Sequence, residues 1–168
     1  VGGKLDSSWT ADYTMLVTDS EGPISLNLDY KDYAGNTGET KSSTTDDGVI
    51  TFDKTAPTLT SVSIASDNRY DETKAKVGDQ VTISIIASEN LTSSPSVTIL
   101  GNDANVTQGS SPSRWSAAYT MQEVDNAGEL TFTIVFSDLA ANPGVDVSQT
   151  SDNSSVTFDK TATDLSAI

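Results

Sequence analysis

Carboxylates are the side chains of this sequence whose type and number could support a chemical site. The 168 residues include 24 Asp and Glu but no His and no Cys. Without those two residue types there are no thiolate nucleophiles, no disulfides, no Ser-His-Asp triads and no typical zinc or haem ligation. Hard oxygen ligands suit Ca²⁺, which takes about six to eight of them. Calcium is therefore the cofactor that we consider for these residues.

The net charge of −15 restricts the partners of the chain. An acidic surface repels phosphate backbones, so we expect no binding to nucleic acid. No apolar run approaches the ~18 residues that a membrane-spanning helix requires, so we expect no insertion into a membrane.

An internal repeat determines how the acidic residues are positioned. The segment Trp9-Thr-Ala-Asp-Tyr-Thr-Met15 matches Trp115-Ser-Ala-Ala-Tyr-Thr-Met121, which lies 106 residues further on. The same offset carries residues 51–56 onto residues 157–162 without a gap. Such a match is typical of tandem domains, so we predict a tandem repeat with a period of about 106 residues. The predicted organisation is the C-terminal half of a unit at 1–56, a complete unit at 57–162 and the start of a following unit at 163–168.

The complete unit consists of short segments in which apolar and polar residues alternate. This alternation, together with the abundance of Val, Ile, Thr and aromatic residues, predicts half-buried strands. Turn residues such as Gly78-Asp79 and Asn142-Pro-Gly144 separate the segments. About seven strands in about 100 residues indicate an all-β, antiparallel two-sheet sandwich. The predicted strands span 59–64, 80–87, 96–100, 104–108, 115–121, 130–136 and 155–158.

Four short motifs resemble those of bacterial Ig-like repeats. The motifs are Phe52-Asp-Lys-Thr-Ala-Pro57, Val77-Gly-Asp-Gln-Val81, Ala87-Ser-Glu89 and Asp32-Tyr-Ala-Gly-Asn36. The resemblance covers nearly the whole chain and implies an Ig-like fold. It also implies a stalk or adhesion module of a large secreted or surface protein, in a family in which tandem units are common and some members bind calcium.

The second unit departs from these motifs at two positions. Ala141 stands where the first unit has Gly35, and Thr163 stands where the preceding junction has Pro57. We expect Ala141 to alter the turn before Asn142. We expect Thr163 to make the final linker less rigid, because it lacks the fixed φ of proline.

The Ig-like topology predicts where the acidic residues converge. The loop after the second strand holds Glu89, the loop before the last strand holds Asp138 and Asn142, and both lie at the end of the sandwich where the linker with Asp53 arrives. Asp19 of the preceding unit could join them, so we predict a calcium site at this junction. The alternative is that Asp138 and Asn142 cap a tight turn while Asp53 and Glu89 point to water.

These features predict a non-catalytic spacer repeat in an extracellular bacterial adhesin or fibre, secreted or at the cell surface, with neighbouring repeats of the same chain as partners. Glycoside hydrolysis would need two carboxyl groups about 5–9.5 Å apart across a sugar cleft, for which a small sandwich has little room. Two alternatives stay open. Apolar strand faces in 1–56 could be complemented by other copies of the chain in a strand-exchanging filament. Trp9 and Trp115 could form the stacking platform of a carbohydrate-binding module, although their spacing favours the core.

Overall fold

The computed structural model describes residues 8–162, and these residues form strands and turns but no helix. Consequently, no membrane-spanning helix occurs in this range. The chain divides into two compact units, Val1–Lys54 and Thr55–Ile168, whereas the repeat predicts a boundary after residue 56. The predicted start of a following unit at 163–168 lies outside the described residues, as do residues 1–7 of the predicted half-unit.

The described part of the first unit contains little regular structure. Its strands β1 (Gly22–Pro23) and β2 (Thr51–Phe52) form one antiparallel pair. Isolated bridges join Leu28 to Lys41 and Lys31 to Thr37. Most of the apolar side chains in this unit are exposed.

The described part of the second unit contains ten strands in three sheets. One sheet has the order β3-β5-β9-β8, the second β11-β6-β7 and the third β10-β12-β4. The strands are, in chain order, β3 (Leu59–Ser66), β4 (Lys74–Ala75), β5 (Gln80–Ala87), β6 (Ser96–Ile99), β7 (Asn102–Asp103), β8 (Asn105–Gln108), β9 (Arg114–Thr120), β10 (Gly128–Glu129), β11 (Phe132–Val135) and β12 (Thr157–Phe158).

The alternating residues of these strands form one core. In β5, Val81, Ile83 and Ile85 are buried, while the residues between them are exposed or half-buried. Such period-two burial follows from the opposite directions of successive side chains in a strand. Inward-facing residues of the three sheets join in a single buried cluster that includes Trp115 and Ile134. The predicted all-β sandwich is therefore confirmed. The additional strands have two residues each, too few for alternation to reveal them.

One edge of the second unit is parallel, although the sequence predicts antiparallel strands throughout. Residues 151–159 run beside β3 and β4, and β12 pairs with β4 in the parallel direction. Ser151 N donates to Val62 O at 2.8 Å, and Ile64 N donates to Ser154 Oγ at 2.9 Å. Further along the edge, Thr157 N donates to Thr73 O at 2.9 Å. Alternation gives the faces of a strand but not its direction, so the sequence pattern could not show this pairing.

Candidate functional site

Asp138 and Asn142 form a tight turn between the last predicted strands of the second unit. The Asp138 side chain is completely buried. Its Oδ1 accepts hydrogen bonds from the backbone N–H groups of Ala140 and Asn142, both at 2.8 Å, and its Oδ2 accepts one from Asn142 Nδ2 at 2.8 Å. These donors offset the cost of burying the carboxylate. The turn-capping interpretation of this pair therefore describes the observed geometry.

The first unit contains the same turn. Asn36 donates its backbone N–H and its Nδ2 to the two carboxylate oxygens of Asp32, each at 2.8 Å. Those hydrogen bonds from Asn36 hold the pKa of Asp32 below its ordinary value. The φ angle is +89° at Gly35 and +68° at Ala141. We expected Ala141 to alter this turn. Instead, Ala141 adopts the same left-handed backbone conformation that Gly35 has in the first unit.

The loop that carries Glu89 meets the loop that carries Asp138. A bridge joins Leu91 to Asp138, and Thr92 N donates to Ser137 O at 3.2 Å. Carboxylate oxygens of Glu89 and Asp138 lie within 4.8 Å of each other. The predicted convergence of these two loops is therefore observed within the second unit. Two carboxylates at this separation repel each other, and a cation with a preference for oxygen ligands would reduce that repulsion.

Asp53 and Asp19 belong to the first unit. Asp53 is half-buried and directly follows β2. The carboxylate of Asp19 accepts hydrogen bonds from Leu16 N at 2.7 Å and from the Tyr13 hydroxyl at 3.1 Å. Asp19 therefore caps a turn of its own unit. The roles of Asp53, Asp19 and Asn142 as calcium ligands stay predictions.

The turn that Asp19 caps recurs in the second unit around Asp125. The carboxylate of Asp125 accepts hydrogen bonds from Gln122 N at 2.7 Å and from the Tyr119 hydroxyl at 3.1 Å. Burial and the hydrogen bond to Asp125 raise the pKa of Tyr119. Lys160 Nζ donates to the carbonyl oxygens of Glu123 and Asp125 at 2.9 and 3.0 Å. The sequence analysis did not predict that Lys160 binds these carbonyl oxygens. The recurrence of the lysine as Lys54, which donates to Val17 O and Asp19 O, could have indicated a structural role.

Asp79, which directly precedes β5, is another buried acidic residue with several polar partners. Its carboxylate accepts hydrogen bonds from Asn68 Nδ2 at 2.8 Å and from Lys76 N at 3.0 Å, and it forms an ion pair with Lys76 Nζ. Burial alone would raise the pKa of Asp79, but the hydrogen bonds from Lys76 and Asn68 outweigh it, so that the pKa lies below its ordinary value. A lysine thus already supplies the positive charge in this group.

The two tryptophans differ in exposure. Trp115 is 9% exposed and its Nε1 donates to Pro112 O at 3.0 Å, so its ring belongs to the core. Trp9 is 88% exposed. Because the Trp115 ring is buried, a sugar-stacking platform made of both rings has no support from this arrangement.

No protein-family model, no curated protein and no solved structure matches the chain. The resemblance to bacterial Ig-like repeats therefore rests on the sequence motifs alone.

Proposed function

We propose that this chain is a non-catalytic structural module, a spacer repeat in an extracellular bacterial adhesin or fibre whose role is to keep a fixed length under load. Its partners are neighbouring repeats of the same chain. The repeat of 106 residues, the motif resemblance and the net charge of −15, which keeps long arrays soluble, support this proposal.

The observation that carries the proposal is the parallel edge between residues 151–159 and the first strands of the second unit. Because the two segments run in the same direction, a force applied at the two ends of the unit pulls them past each other. Their hydrogen bonds then lie across the direction of sliding and must break together rather than one after another. Such an edge resists extension, as a spacer requires.

The strand order supports the Ig-like part of the proposal. If the six strands of four or more residues are lettered A to F in chain order, the four-stranded sheet β3-β5-β9-β8 reads A-B-E-D. Constant-type immunoglobulin sandwiches have the same order in one sheet, with C and F in the other. Here β6 and β11, which are C and F, pair with each other.

Calcium belongs to the proposal as a stiffening ion at the acidic pair of the second unit. Glu89 and Asp138 are the residues that would hold it there, and their oxygen donors fit the preference of calcium. The ion would supply positive charge between two repelling carboxylates and so tie the two loops together. Asp53, Asn142 and Asp19 are the further ligands that the sequence predicts.

The proposal is tested by unfolding single molecules of the full chain under force applied through its ends. Replacing both Ser151 and Ser154 with alanine removes the side-chain hydrogen bonds to the backbone of β3, so the unfolding force of the second unit should fall. Ser148→Ala changes an exposed serine that precedes this segment and should leave the force unchanged. An unfolding force that is the same in the double variant would contradict the proposed role of this edge.

A further inference from the structure

The first unit exposes an apolar face whose counterpart in the second unit is buried. Trp9 is 88% exposed, whereas Trp115, 106 residues further on, is 9% exposed. Leu28 is 52% exposed, whereas its counterpart Ile134 is completely buried. Apolar side chains also line a depression of about 1100 Å³ in the first unit, among them Tyr13, Met15, Ile24, Leu26 and Ile50. A large exposed apolar surface of this kind marks an interaction site.

The second unit shows what covers the corresponding face. Residues 57–106 provide β4, β5 and β6, which pair with strands provided by residues 107–162. The pairs are β4 with β12, β5 with β9 and β6 with β11. Inward-facing residues of the covering segment, such as Ile83 and Ile99, complete the core.

The first unit already has part of the local structure of its counterpart. β1 pairs with β2 in the register in which β10 pairs with β12, 106 residues further on. The bridge between Leu28 and Lys41 recurs between Ile134 and Val147. In contrast, residues 8–14 and 26–29, which correspond to β9 and β11, form no strand in the described part of this unit. Both lacking elements have counterparts that pair with the covering segment in the second unit, whereas β2, the counterpart of β12, is formed and pairs with β1.

We infer that the first unit is an acceptor for a complementary β-segment of the residue 57–106 type. The partner is a polypeptide that presents β-branched residues at alternate positions, as β3, β5 and β6 do. It adds strands to residues 8–14 and 26–29 by β-augmentation and fills the depression with its apolar side chains. The inference deepens the proposed function, because the filled unit becomes a second spacer.

The experiment joins an additional copy of residues 57–106 to the N-terminus of the full chain, which reproduces the natural spacing from residue 106 to residue 107. Both tryptophans are labelled as 5-fluorotryptophan, and their fluorine signals are assigned with the Trp9→Phe variant. A soluble neutral nitroxide then broadens each signal according to its exposure. In the unextended chain the Trp9 signal should be broadened about tenfold more than the Trp115 signal, in proportion to exposures of 88% and 9%.

In the extended chain, the broadening of the Trp9 signal should fall to the level of Trp115. The matched control carries Ile83→Asp and Ile99→Asp in the additional copy only. Those charges cannot be buried in an apolar core, so Trp9 should stay exposed.

Two results would overturn the inference. Trp9 could stay exposed in the extended chain while Trp115 stays protected, which is also the pattern expected if the additional copy took the place of residues 57–106 in the second unit. The unextended chain could shield Trp9 by self-association, detected by sedimentation velocity, which would assign the face to a second copy. The unfolding force of the second unit is measured on the unextended chain, so the spacer proposal succeeds or fails separately.

Discussion

Truncating the side chains at two equivalent positions, Ile134 and Leu28, should destabilise the second unit in the first case and leave its stability unchanged in the second. Ile134 of the second unit is completely buried, pairs with Val97 across the sheet and bridges to Val147. Replacing it with alanine removes buried methyl and methylene groups and leaves a cavity, which typically costs about 2–5 kcal/mol. Leu28, its counterpart, is 52% exposed. Leu28→Ala leaves no closed cavity, so the stability of the second unit should change by less than about 0.5 kcal/mol.

The assay is thermal unfolding followed by Trp115 fluorescence in a Trp9→Phe background, which removes the signal of the exposed tryptophan. For a unit of about 100 residues, 1 kcal/mol shifts Tm by about 4 °C. Ile134→Ala should therefore lower Tm by about 8–20 °C, and Leu28→Ala should leave it unchanged within about 2 °C. Urea titrations of both variants should give the same order of stabilities.

Equal losses for the two variants would refute this reasoning, because the stability of the second unit would then depend on the half-exposed Leu28 of the first unit as much as on its own buried Ile134. A loss below about 1 kcal/mol for Ile134→Ala would also refute it, since a tightly packed core position cannot be truncated so cheaply.

Three further predictions follow from single residues. Ala141→Gly should stabilise the second unit by about 1 kcal/mol in urea unfolding, because glycine relieves the left-handed backbone at φ +68°; no gain, with Gly35→Ala in the first unit equally neutral, would contradict the claimed strain. Asp79→Asn should lower Tm at neutral pH. The folded-state pKa of Asp79 lies below its ordinary value of 3.8, so the ionised side chain stabilises the fold above about pH 4. The difference in Tm between the variant and the parent should therefore shrink as the pH falls below that value. A difference in Tm that is constant from pH 7 to pH 3 would show that the charge is not involved. Calcium should raise Tm relative to EGTA, and Glu89→Gln should abolish that rise; an unchanged rise in the variant would remove Glu89 from the site.

The strands of the second unit could be predicted from alternation because each of them is apolar on one face only. The predicted span 80–87 coincides with β5, and the stripe Leu130, Phe132, Ile134 and Phe136 is buried as expected. The direction of the last segment and the two-residue strands could not be predicted, since neither leaves a periodic signal.

The candidate site was only partly predictable. The topology of an Ig-like sandwich brings the loops of Glu89 and Asp138 together, and these loops do meet. The turn at Asp138 and Asn142 could be predicted from the sequence, because both residue types are common in turns. The lysine contacts at the Asp125 turn were not predicted, because a side chain that reaches backbone carbonyl oxygens 35 and 37 residues away leaves no local pattern.

The claim that this chain supplies length and stiffness is tested most directly by its extension under force. The sandwich from Leu59 to Phe158 should resist and then open in one step that releases about 300 Å, since an extended chain spans about 3.3–3.6 Å per residue and the folded unit already spans part of that length. The first unit should lengthen without a step of its own. A trace that rises smoothly, with no step attributable to the second unit, would contradict the account.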